Sequence, residues 1–159
     1  MIIRLSGIIV MFFSAVSYSF TLVKNANQRI RQLENICLLI SYIKSNIESF
    51  IMPIHDILVS FSGYSRDFDS FIEQAREFGL KDAAENSDLD IGKTGRCLLS
   101  EFCSRIGIGY KEDELRLCSY YYDQLSQLLE EEKDETGRKM KMYKTLPIMS
   151  AISVTLLLL

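Results

Sequence analysis

Reactive side chains are sparse in this chain of 159 residues, and their spacing says what they could do. His55 is the only histidine, and no serine or cysteine near it stands in a nucleophile motif, so imidazole-based catalysis has no partner. Gly92-Lys93-Thr94, inside DIGKTG at 90–95, matches the end of a loop that cradles phosphates with backbone N–H groups. Ser87 stands where such a loop needs its first glycine, and no apolar strand precedes it; a solvated turn is the better reading. Cys37, Cys97, Cys103 and Cys118 show neither a C-x-x-C pair nor a histidine partner, which argues against zinc or redox chemistry. They read as free thiols acting as small core hydrophobes in a reducing compartment. Glu131 and Glu135 share a helix face within EEEKDE, a spacing common on solvated surfaces. No acid–base pair in a pocket emerges, so neither an enzyme nor a cofactor or metal site is expected.

A net charge of −3 with 25% charged residues gives no argument for a nucleic-acid surface or an acidic substrate, and no nucleic-acid partner is expected. The average conceals segregation, because both ends are apolar and the middle is charged. Leu5 to Val23 carries no formal charge and would make about 28 Å of helix, close to a bilayer's hydrocarbon thickness. A cleaved signal peptide is the competing reading, since Ser14, Ala15, Ser17 and Ser19 could support a cut. The length of the stretch and the following Lys24, Arg29 and Arg31 favour a retained membrane helix over 1–23. Leu146 to Leu159 is uncharged but would give only about 21 Å of helix, as suited to a buried core helix as to a span. Met140, Met142 and Tyr143 can extend its apolar face while Lys141 and Lys144 snorkel to the headgroups. Arg138, Lys139, Lys141 and Lys144 form a second basic collar. The two collars imply one topology: a second membrane helix over 145–159, both ends outside, and 24–144 in the cytoplasm.

Few prolines and glycines in the middle favour long helices. Apolar positions at Ile30, Leu33, Cys37, Ile40 and Ile47, flanked by Ile36, Ile43 and Phe50, make a wide face suited to a helix inside a bundle. Pro53 predicts either a kink or a break followed by a second helix to about Ser62. Phe68, Phe71, Ile72, Ala75 and Phe78 share a face of a further helix, capped by Asp67 and stopped by Gly79. Residues 81–95 read as a loop after at most a short helical turn. The next helix, about Thr94 to Arg105, turns Cys97, Leu98, Phe102 and Ile106 inward. After Gly-Ile-Gly at 107–109, a last helix from Lys111 buries Leu115, Cys118, Tyr122, Leu125 and Leu129, with Tyr121 and Leu128 alongside. The polar stretch beyond Leu129 reads as a solvated stalk. Lys24 to Met52 would rise about 42 Å and Lys144 back to Glu112 about 48 Å, so the two long helices should lie antiparallel. Their far end joins Met52–His55 to Gly107–Lys111, which makes His55, Arg105, Tyr110 and Lys111 the candidate partner-docking tip.

The fold class is thus all-α, an antiparallel bundle of about five to six helices between two membrane helices. That layout resembles the stage III sporulation protein AB family. An apolar anchor precedes RIRQLENICLLISYIKSNIESFIMPIHDIL with its Pro-containing break, and LLSEFCSRIG then leads to a long helix ending in Glu-rich, Lys-rich and apolar sequence. The chain departs from the pattern after Gly107. The resemblance implies a helical domain like that of type II secretion F-type platform proteins. It also implies a non-enzymatic scaffold in the channel between mother cell and forespore. The expected location is the mother cell's membrane, that is, the outer forespore membrane. The implied partners are the stage III sporulation protein AA ATPase and other channel subunits, besides lipid, with homo-oligomers possible. The alternative is a bitopic adaptor or regulatory protein whose C-terminal apolar segment belongs to the core.

Overall fold

In the computed structural model, backbone is described for residues 2–49 and 52–158, and side chains for 25–49, 52–66 and 68–141. The described residues form six α-helices and one 3-10 turn, with no strand among them. The helices are α1 (Ile2–Ser49), α2 (Ile54–Ser60), α3 (Asp69–Phe78), α4 (Leu80–Asn86), α5 (Gly92–Arg105) and α6 (Lys111–Leu158), and the 3-10 turn is Arg66–Phe68. The all-α expectation holds. The chain divides into two compact units, Gln28–Glu131, and Met1–Asn27 with Glu132–Leu159.

Within Gln28–Glu131 the core lies on α1. Leu33, Ile36, Leu39, Ile40 and Ile43 are fully buried on its broad apolar face. Cys118, Tyr121 and Leu125 of α6 join the same cluster, as do residues of α2 through α5. Pro53 marks a break: α1 is followed by α2, whose Ile57 N–H donates to the Pro53 carbonyl at 3.2 Å. The irregular path from α2 to α3 is held by aromatic packing in sequence. Tyr42, Phe61, Tyr64, Phe68 and Phe71 form a chain of ring contacts with centroids 4.8–6.2 Å apart. Two buried amides of α1 tie down loop backbone as well. The Ser65 N–H donates to Asn35 Oδ1 at 3.3 Å, and the Asp90 N–H donates to Gln32 Oε1 at 2.8 Å.

Three phase assignments change in the structure. Tyr121, not Tyr122, is the buried tyrosine of α6, being 1% exposed against 39%. The seam therefore runs Cys118, Tyr121, Leu125, and Tyr121 meets Phe102 of α5 edge-on at 5.7 Å. Cys97 is exposed while Leu99 and Cys103 turn inward, and Phe78 at the end of α3 is exposed. The segment read as a loop after 80 holds a full helix. Leu80, Ala83, Ala84 and Ser87 are buried at helical spacing, and α4 packs on α3 and α5. α5 then begins two residues before the expected Thr94. It runs close to α6 because Gly95 has no side chain. A Cβ there would come within 3.3 Å of Ile91 and of Leu128 Cδ2.

In the other unit, the polar stretch after Leu129 is helical as part of α6, with Lys139 paired to Glu135 at 2.8 Å and Thr136 buried. Among the described residues no helix is long and apolar enough to cross a membrane. The side chains of 1–23 and 145–159, the segments expected to span, lie outside the described residues.

The packing of Gln28–Glu131 can be tested at Arg76 and at the cysteines. Arg76 of α3 donates from Nε to the Leu58 carbonyl at 2.9 Å and from Nη2 to those of Phe61 at 2.8 Å and Val59 at 3.4 Å. It thereby satisfies the C-terminal carbonyls of α2, which have no partner inside that helix. Arg76→Met should lower stability by about 1.5–3 kcal/mol in urea unfolding, and Arg76→Lys should recover only part, lacking the planar fork. Burial pushes the thiols of Cys103 and Cys118 up from 9.0 to about 12, with Glu114 adding to the effect at Cys118. Both are protonated in the native state at pH values where the unfolded thiol ionises. Their contribution is fully present below pH 9 and is lost as pH rises from there toward 12, so unfolding midpoints should fall across that window. At pH 8 a disulfide reagent should label exposed Cys97 rapidly and Cys103 and Cys118 only on denaturation.

Candidate partner-docking tip

The tip is assembled from the ends of four helices, all within Gln28–Glu131. α1 ends at Ser49, Pro53 opens α2, α5 stops at Arg105, and α6 starts at Lys111. The reversal between α5 and α6 needs partners for its backbone, since it belongs to neither helix. Glu114, one turn into α6 and only 6% exposed, supplies them. Its Oε2 accepts the Gly107 N–H at 2.9 Å and its Oε1 accepts the Gly109 N–H at 2.6 Å. Gly107 has φ +87°, a left-handed conformation, and a Cβ there would lie 3.2 Å from Ile54 Cγ1. The reversal thus sits directly on α2.

Lys111 closes the other side, where its Nζ donates to the Glu48 carbonyl at 2.7 Å. Between these links lies a groove of about 200 Å³ lined by Ile47, Met52, Pro53, Ile54, Gly107 and Gly109, with Lys111 and Glu114 at its edge. Ile108 is 81% exposed and Tyr110 is 86% exposed beside it, and Met52 is partly exposed.

The sequence-based set is brought together in part. Tyr110 and Lys111 flank the groove, and His55 is exposed on the first turn of α2. Arg105 is exposed at the end of α5, where the nearby Tyr121 hydroxyl donates to Glu101 Oε2 at 3.1 Å. Burial pushes the Tyr121 phenol up, and Glu101 adds to that while Arg105 opposes it. Sequence reasoning missed Ile108 and Glu114. Ile108 was legible as an apolar residue between two glycines, where no helix face could bury it. Glu114 was legible as an acidic first-turn residue able to reach back to a preceding reversal.

Of the membrane-collar set, Arg29 Nη2 lies 3.1 Å from Asp90 Oδ1, so Arg29 braces the loop before α5. Arg31, Arg138, Lys139 and Lys141 are exposed, and the side chains of Lys24 and Lys144 lie outside the described residues. The Gly92-Lys93 segment borders a second, more open hollow of about 410 Å³. Its rim carries Asp88 and Asp90, and Arg96 there donates to the Leu89 carbonyl at 2.7 Å. The strand a phosphate loop requires is absent among the described residues. No cluster of potential metal ligands occurs among them either.

Glu114→Gln should cost about 1–3 kcal/mol, because the amide leaves one of the two reversal N–H groups facing a donor. Thermal unfolding of the full chain in detergent, followed by circular dichroism, checks this. Gly107→Ala should also lower the midpoint, through its positive φ and the Ile54 contact.

A family model described as stage III sporulation protein AB matches residues 4–159. No curated protein and no solved structure gives a match.

Proposed function

The chain belongs to the stage III sporulation protein AB family, and on that premise we propose that it is a non-enzymatic membrane platform in the channel between mother cell and forespore. In this reading, 1–23 and 145–159 are membrane helices in the mother cell's membrane. Residues 24–144 are a cytoplasmic helical domain of the type II secretion F-type kind. The domain docks a secretion-type ATPase, the stage III sporulation protein AA partner, and packs beside other channel subunits.

The observation that carries this reading is the tip. A braced turn, held by Glu114 and Lys111, presents Ile108 and Tyr110 to solvent, as a protein-binding surface would. The matched basic collars and the family's part in sporulation support the membrane setting.

Topology reporters fused at each end should both be active outside the cytoplasm, while fusions within 24–144 should report a cytoplasmic position. Cytoplasmic activity from the C-terminal fusion would overturn the two-helix anchor. The purified full chain in lipid nanodiscs should bind the ATPase, and absence of binding would remove the platform reading.

A further inference from the structure

We draw no further inference here: the strongest candidate, the apolar patch of Ile108 and Tyr110 at the reversal between α5 and α6, has exposed cations and carboxylates alike on the adjoining helix ends, and nothing in the structure shows what covers it.

Discussion

Backbone outside helices must find hydrogen-bond partners when it is laid against an apolar surface, and every connection in this domain answers to that constraint. Helix interiors satisfy themselves; the links between them do not. The partners come from long polar side chains on neighbouring helices. Gln32 and Asn35 of α1 receive the loops at Asp90 and Ser65, Arg76 of α3 takes the end of α2, and Glu114 of α6 takes the turn at 107–109. A bundle of short helices on one long one is possible here because its connections are fastened by side chains. The chain has few other means, since it contains only two prolines and its cysteines remain free thiols.

The same devices set the form of the tip. An apolar pair on a loose loop would collapse onto the nearest hydrophobic surface. Ile108 and Tyr110 stay outward because the backbone on either side of Ile108 is bound to Glu114, and the reversal rests on Ile54. The carboxylate that fixes the turn is buried, and those left facing solvent belong to other residues. One residue type therefore has two duties here, separated by burial: internal acceptor and outward charge.

The long elements were legible because their apolar residues recur over many turns. The long helices α1 and α6 and the junction of Met52–His55 with Gly107–Lys111 followed from period and length. Short elements were harder, since a single turn of periodicity is easily lost. α4 hides in a polar, turn-like stretch because its buried face is mostly alanine. Tyr121 and Tyr122 are chemically identical neighbours, and contacts from α5, the ring of Phe102 and the Glu101 carboxylate, mark the one that enters the core. Arg29 pairs with Asp90, which lies far along the sequence. Such long-range ion pairs leave no local trace.

The spacing of these contacts along the chain also bears on the order of assembly. Lys111 reaches Glu48 across 63 positions and Arg29 reaches Asp90 across 61, whereas Tyr121 meets Glu101 across 20 and Gly107 meets Glu114 across 7. Closing the short loop between α5 and α6 costs less chain entropy than bringing α1 onto either of them. Local closure therefore favours the α5–α6 hairpin as an early unit, with its Gly95 contact to Leu128 already drawing the two helices together. Synthesis runs the other way: α1 emerges first, with Leu33, Ile36 and Ile40 lacking the cover that α6 completes. The broad apolar face that organises the finished domain is thus the surface a nascent chain must keep from other partners longest.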